Sequence, residues 1–355
     1  GIVIGKTDLT DYVPLYRDAK TGTVATQFTM DQIEECGLVK MDFLGLKTLT
    51  LIKNTQDLIR KRGGEYAHFD ADSVSETDPA TYKLLGEGQS TCVFQFESSG
   101  MQSILKQAKP NKIEDLIALN ALYRPGPMAY IPQFVDSKWG RRPIEYPDPC
   151  LESILKETYG VIVYQEQVMQ VAQIIGGYSL GQADLLRRAM GSKRGVEKIE
   201  RLRSRLFEGM EANGIDAATA ERIYAQIEAF AAFGFAESHS ISFALLVYTS
   251  AWFKLHTPAA FLAGLLRSQP MGFYAPRTLV EDARRHGVEV RPADVQQSDV
   301  LAGLEKMVDR AKPTGLDACT SFTQPPVPPF APDAPDTSMQ HRRDGAFAVL
   351  HARVG

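Results

Sequence analysis

The sequence has only four cysteines, Cys36, Cys92, Cys150 and Cys319, and they lie far apart. No CxxC pair and no cysteine and histidine spacing occurs, which argues against a zinc site and a disulfide scaffold and makes a reducing, cytoplasmic setting the default. The sequence also has no apolar stretch near the roughly 18 residues needed to span a bilayer. Its start, "GIVIGKTDLT", lacks the charged head and apolar middle of a signal peptide, so no membrane partner is expected. Nor is there a surplus of one charge. The 39 lysines and arginines against 43 aspartates and glutamates leave a net charge of -4, so any contact with a polyanion must come from a local basic surface. An initiator methionine is absent and the chain opens in what reads as a strand, so the sequence is expected to be a piece of a longer protein.

What is present is the material of a globular protein. With 355 residues, 44% of them hydrophobic, the chain can bury one large core or two to three smaller ones. Residues 1 to about 47 read as short strands around the polar turn "RDAKTGTVATQF". They end in "GLVKMDFLGL", residues 37 to 46. As a strand this run would place Val39 and Met41 on a core face and Lys40 and Asp42 on the other, about 7 Å apart. Taken alone, that is a half-exposed strand with a solvated ion pair. From about 48, "TLTLIKNTQDLIRKRG" has helical apolar spacing and a glycine-terminated basic end. Residues 66 to about 270 are mostly helical, punctuated by "YRPGPM", "YPDPC", "IGGYSLG" and "FGFAESHS". Beyond 300, "FTQPPVPPFAPDAPD" cannot hold a helix, and an irregular, poorly ordered tail is expected. The fold class read from these patterns is α/β at the N-terminus followed by a mainly α-helical region.

A basic surface is found in "LLRRAMGSKRGVEKIERLRSRLFEG", which carries Arg187, Arg188, Lys193, Arg194, Lys198, Arg201, Arg203 and Arg205 among Asp184, Glu197, Glu200 and Glu208. Forked guanidinium donors that stay charged at any working pH suit phosphate oxygens. A solvated helix face laced with i,i+4 ion pairs has the same pattern. Tyr164, Gln165, Glu166 and Gln167 follow an apolar run, and Glu237, Ser238, His239 and Ser240 precede a long apolar helix. A histidine at such a helix start is ordinarily a cap or a surface residue.

Five ordered motifs carry a resemblance: "GLVKMDFLGLKTLTLI", "VFQFESSGMQSILK", "YRPGPM", "YGVIVYQEQVMQVAQIIGGYSLGQADLLRRAMG" and "FGFAESHSISFALLVYTSAWFKLH". Over about residues 1 to 295 the chain resembles the bacterial C-family DNA polymerases, the group of the DNA polymerase III alpha subunit and its error-prone relative. The resemblance implies the C-terminal part of a palm at 1 to 47, a fingers domain at 48 to 300 and a tail at 301 to 355. It implies template-directed deoxynucleotide addition by two-metal phosphoryl transfer with Mg2+, on primer-template DNA and deoxynucleoside triphosphates, with a sliding clamp and other replisome subunits as partners of the full-length parent. Asp42 matches one of three metal-binding carboxylates, and Lys40 a lysine facing the phosphates. Arg187 and Arg188 match arginines on the incoming triphosphate. His239 matches the position near the sugar, while Arg124, Tyr164 and Gln165 lie in motifs around the same pocket.

Three departures bear on that reading. The other two metal-binding aspartates belong upstream of the point where this sequence begins, so the chain alone is expected to lack catalysis. Asp70 and Asp72 in "FDADS" sit in a variable segment and read as a polar loop. The helix-hairpin-helix, clamp-binding and oligonucleotide-fold regions have no counterpart in the tail. Last, the chain looks replicative up to "LLRRAMG" and error-prone after it, so a junction near Gly191 to Arg194 fits recombination or an artificial join. The rival reading is a non-catalytic nucleic-acid or nucleotide-binding module, or a truncated polymerase relic.

Overall fold

The structure, a computed structural model, describes residues 1–43, 45–191, 196–231, 234–272, 274–294, 298–306 and 347–350. The chain divides into two compact units, Gly1–Lys47 and Thr48–Gly355.

In the first unit, β1 (Ile2–Ile4) is followed by a hairpin of β2 (Leu15–Arg17) and β3 (Val24–Thr26), then α1 (Met30–Glu35) and β4 (Val39–Met41). The hairpin turn is shaped by Asp18, whose carboxylate accepts from the Lys20 and Thr21 amides at 2.9 and 2.7 Å. β1 and β4 pair antiparallel, with Ile2 opposite Met41, Val3 opposite Lys40 and Ile4 opposite Val39.

The strand at 39–41 is where the sequence placed it, but its faces are reversed. Val39 and Met41 are 53% and 46% exposed, whereas Lys40 is half-buried. The cause is the small core of Val13, Ile33 and Leu38, against which Val3 packs. Lys40 shares the face of its partner Val3, and strand alternation then turns Ile2, Ile4, Val39 and Met41 outward together.

The second unit is mainly helical. Its helices are α2 (Lys47–Arg60, opening the unit from the last residue of the first), α3 (Pro79–Gly86), α4 (Ser99–Ala108), α5 (Ile113–Leu122), α6 (Ile131–Lys138) and α7 (Glu152–Leu155). They continue as α8 (Gln165–Gly176), α9 (Leu180–Gly191), α10 (Val196–Ala212), α11 (Ala217–Ala231), α12 (Glu237–His256), α13 (Pro258–Arg267) and α14 (Pro276–Arg285). The larger core draws on α3 to α12, from Leu85 and Phe96 through Leu119, Val171 and Leu206 to Val247. A second core joins Leu51, Leu58 and Ile59 of α2 to Phe261, Leu262 and Leu265 of α13 and Leu279 of α14. α12 belongs to both, giving Ala244, Val247 and Ala251 to the first and Phe253 to the second. A helix apolar on nearly all sides has to be buried in this way.

The crossing of α8 and α10 needs the missing side chain of glycine. A Cβ on Gly209 of α10 would run into the Gly176 carbonyl of α8, so the two backbones touch. Gly209→Ala is expected to cost about 1–3 kcal/mol of unfolding free energy through overpacking. Gly181→Ala, whose Cβ meets nothing within 4 Å, should hold or slightly raise stability. Urea melts of the two variants decide it, and no loss in Gly209→Ala would show that α8 and α10 can part freely.

At the start of α3, Asp78 accepts from the amides of Ala80 and Thr81 at 3.1 and 3.2 Å and from His256 Nε2 at 2.7 Å. Burial pushes its carboxyl up, but the bonds from Thr81, His256 and Ala80 outweigh this and hold it below the usual carboxylate value. Folding therefore favours the ionised form, and its stabilisation is present above the unfolded value of about 3.9. It is lost as the pH falls through the lower folded value. Asp78→Ala should remove about 1 kcal/mol at neutral pH and flatten the acid limb of a pH–stability curve, and an unchanged acid limb would place the acid sensitivity elsewhere.

The segment from 301 onward, read from sequence as an irregular tail, contributes two strands at its ends. β6 (Gly303–Lys306) and β7 (Phe347–Leu350) join β5 (Val290–Arg291) in a sheet of order β5-β7-β6. β7 pairs parallel with β5 and antiparallel with β6. The proline-rich residues 320 to 336 lie outside the described residues, as do residues 192–195 at the expected junction. No described helix is long and apolar enough to cross a membrane.

Candidate nucleotide site

The helical unit builds a cluster from four helix ends. α8 starts because Gln167 turns back on its own cap: its Oε1 accepts from the Val163 and Tyr164 amides at 2.8 and 3.1 Å, and its Nε2 donates to Ile154 O and Thr158 Oγ1. That capped turn aims Gln165 and Glu166 toward the segment that enters α12. Tyr164 forms a parallel bridge with Phe235, and the Gln165 amide donates to Phe235 O at 3.0 Å. Glu166 accepts from the Glu237 amide at 2.9 Å, so the first turn of α12 is capped by a carboxylate from another helix. From the other side, Ser240 donates to Ile117 O at 2.6 Å and accepts from Asn120 at 3.3 Å, which docks α12 on α5.

Arg187 and Arg188 reach this cluster from α9. Asp184, one turn earlier, accepts from Arg187 Nε and Nη2 at 3.0 and 2.7 Å and pairs with Arg188 Nε at 2.8 Å. Those bonds, the hydrogen bond from Arg187 first, hold the Asp184 carboxyl below its usual range. Arg187 Nη1 also donates to Gln165 Oε1 at 3.0 Å. The i,i+3 and i,i+4 pairing that sequence offered as an alternative to phosphate binding is thus present, together with a link the spacing could not reveal. Arg188 is 70% exposed.

Arg124, just past α5, donates to Ala121 O at 3.0 Å and lays its guanidinium 4.5 Å from the Phe235 ring centre. Burial lowers its pKa, though it stays a cation at working pH. From Phe235 a run of rings continues through His239 at 5.2 Å and Phe243 at 4.2 Å to Phe94 at 5.4 Å. Tyr164 is buried and its hydroxyl is pushed up by burial and then by nearby carboxylates, so its ring is core rather than surface. The Glu237 carboxyl is raised by burial and then by Glu166 and Glu157. The arginine pair is joined to the start of the ring strip through Gln165, which bonds Arg187 and the Gly234 and Phe235 carbonyls.

Of the residues singled out in the sequence, Arg124, Tyr164, Gln165, Arg187 and His239 are brought together in one unit, with Arg188 on its rim. Phe235 and Asp184 link them and were not singled out as site residues. The break at "FGF" before α12, marked by Gly234, was the available signal for Phe235. Lys40 and Asp42 belong to the first unit. The Asp42 side chain is 73% exposed, with Oδ1 3.3 Å from the Gly1 ammonium. Among the described residues no group of three or more His, Cys, Asp or Glu side chains can hold a metal ion. Asp70 accepts from the Asp72 amide in a short turn, in keeping with a polar loop.

The class defined by this fold is a mainly helical unit in which helix ends gather arginines and aromatic rings. Residues 48–214 match the family model described as the bacterial DNA polymerase III alpha subunit finger domain, and residues 1–45 match that of the bacterial DNA polymerase III alpha NTPase domain. Together these take in more than half of the chain. Among curated proteins, the DNA polymerase III subunit alpha of Treponema pallidum is 54% identical over 299 residues, 84% of this chain and 26% of that protein. The error-prone DNA polymerase of Cutibacterium acnes is 45% identical over 359 residues, 98% of this chain and 31% of that protein. The alpha subunit of Borreliella burgdorferi is 51% identical over 298 residues, again 84% of this chain and 26% of that protein. The chain belongs to the bacterial DNA polymerase III alpha-subunit family. It spans about a quarter to a third of the length of these relatives.

Proposed function

We propose that the chain is part of a DNA-directed DNA polymerase and that its helical unit binds the incoming deoxynucleoside triphosphate. The observation that carries this is the gathering of Arg124, Gln165, Arg187 and His239, from four separate stretches of sequence, into one group linked by hydrogen bonds and ring contacts. Arg187 and Arg188 supply forked cations for the triphosphate, and the Phe235 and His239 rings a flat flank for sugar or base. Relatives named as DNA polymerase III subunit alpha support the same reading.

Mg2+ is the cofactor implied by the family, and Asp42 would be one of its ligands, with Lys40 as a phosphate-side cation. Two divalent cations held close together need several carboxylates to neutralise and fix them. The described residues do not make such a site by themselves. The chain alone is expected to bind without adding nucleotides. Primer-template DNA is the partner of this unit, and a sliding clamp and other replisome subunits are partners of the longer parent.

Fluorescence anisotropy of a labelled primer-template tests the proposal, with and without the matching deoxynucleotide and Mg2+. An Arg187→Ala, Arg188→Ala double variant is measured beside the unaltered chain. Binding that tightens with the correct nucleotide only in the unaltered chain is the expected result. Equal, weak, salt-sensitive binding by both proteins would make the arginines a solvated face and favour a module that holds phosphate without chemistry.

A further inference from the structure

We propose that Gln165 is a positioning residue for Arg187 rather than a nucleotide contact, and that it ties Arg187 to the main chain leading to His239. This rests on the nucleotide reading above. The side-chain amide of Gln165 is committed on both sides: Oε1 accepts from Arg187 Nη1 at 3.0 Å and Nε2 donates to Gly234 O at 2.8 Å. Flipping the amide would set its NH2 group against the guanidinium and its oxygen against a carbonyl, so the network fixes the assignment. A phosphate is an acceptor and can use only N–H groups. One N–H of Gln165 remains, while among the described residues Arg187 keeps two of its five after Asp184 and Gln165 are served. The cation is therefore the group that meets the anion, and Gln165 decides where that cation stands.

The same residue is bonded twice to the 234–235 segment, by Nε2 to Gly234 O and by its backbone amide to Phe235 O. Phe235 in turn faces both the Arg124 guanidinium and the His239 ring. A shift of Arg187 toward a phosphate is transmitted through Gln165 to the start of α12, and a shift of that segment moves Arg187. Asp184 cannot do this, because it sits on the same helix as the arginines and moves with them.

Two variants separate the halves of the device. Gln165→Glu keeps an acceptor for Arg187 and loses the donor to Gly234 O, and Gln165→Leu loses both. The affinities of the chain for inorganic triphosphate and for a deoxynucleoside triphosphate are measured by calorimetry, alone and in combination with Arg187→Ala. In the ligand-free chain, the side-chain NH signals of Arg187 are followed by NMR as a sign of a held guanidinium. Gln165→Leu is expected to release the Arg187 signals, to weaken both ligands equally and by about tenfold, the loss typical of one hydrogen bond to a charged group, and to add nothing once Arg187 is alanine. Gln165→Glu should keep the signals. Loss that adds to that of Arg187→Ala, or an unchanged Arg187 spectrum in Gln165→Leu at an unchanged melting midpoint, would overturn the proposal. An unaltered chain that binds neither triphosphate would overturn the nucleotide reading, and the Arg187 spectrum would still decide whether Gln165 positions it.

Discussion

Asp115→Asn is expected to cost the helical unit about 3–5 kcal/mol, the range for breaking a buried ion pair by removing one partner. Asp115 and Lys138 are 1% and 4% exposed, and the lysine Nζ lies 2.5 Å from Asp115 Oδ2. Further bonds surround the pair: Lys138 donates to Lys109 O and Asn111 Oδ1, the Asn111 amide donates to Asp115 Oδ2, and Tyr159 donates to Asp115 Oδ1. Burial lowers the Lys138 pKa, and the Asp115 carboxylate works against that fall. With asparagine the lysine keeps its burial and loses its counter-charge. The unfolded state then binds the proton more readily, so stability rises with pH through the window below the usual lysine value. The deficit of Asp115→Asn should accordingly shrink as the pH is raised. Asp115→Asn with Lys138→Met should recover part of the loss, since no unpaired charge is then left buried. Urea melts at neutral and alkaline pH measure all of this, and a deficit that is small and independent of pH would show that water reaches the pair.

That pair also shows where sequence reading stops. Asp115 stands in "NKIEDLIAL", which reads as a capping signal followed by an apolar stripe, and a carboxylate in the first turn of a helix is ordinary there. What sets Asp115 apart is tertiary: every residue from Asp115 to Leu122 is buried, so of the two carboxylates in the first turn Asp115 has no water to face. The partner, Lys138, is 23 positions away and could not be read from spacing. The strand at Val39–Met41 was legible from alternation, but alternation gives two faces without saying which is buried. The small core of Val13, Ile33 and Leu38 chose the Val3 and Lys40 side.

The candidate site divides in the same way. Arg187 and Arg188 were visible as a pair, and Asp184 three and four residues before them was visible as their partner on one helix face. The links that make a site of them are tertiary: Gln165 to Arg187 across 22 positions and Gln165 to Gly234 across 69. Helical periodicity locates the helices and is silent on which ends meet. Only the family resemblance named His239, because a histidine in the first turn of a helix has no local property that sets it apart.

On the proposed nucleotide reading, His239→Ala is expected to reduce the preference for deoxynucleoside over nucleoside triphosphates by up to about 10²-fold, the limit of what shape alone gains against one added hydroxyl. A side chain rejects a hydroxyl by bulk only if it cannot turn aside. The exposed His239 ring is braced by Phe235 at 5.2 Å on one side and Phe243 at 4.2 Å on the other. Each brace has its own support, since Arg124 lies over Phe235 and Phe94 backs Phe243. Phe243→Ala leaves the imidazole in place and removes one brace, so it should move the preference in the same direction by a smaller factor. Paired titrations with deoxynucleoside and nucleoside triphosphates of the same base read both variants. If His239→Ala weakens the two ligands equally, the ring is a contact and not a wall. If Phe243→Ala leaves the ratio unchanged while His239→Ala lowers it, the imidazole holds its position without the ring run behind it, and the brace is packing alone.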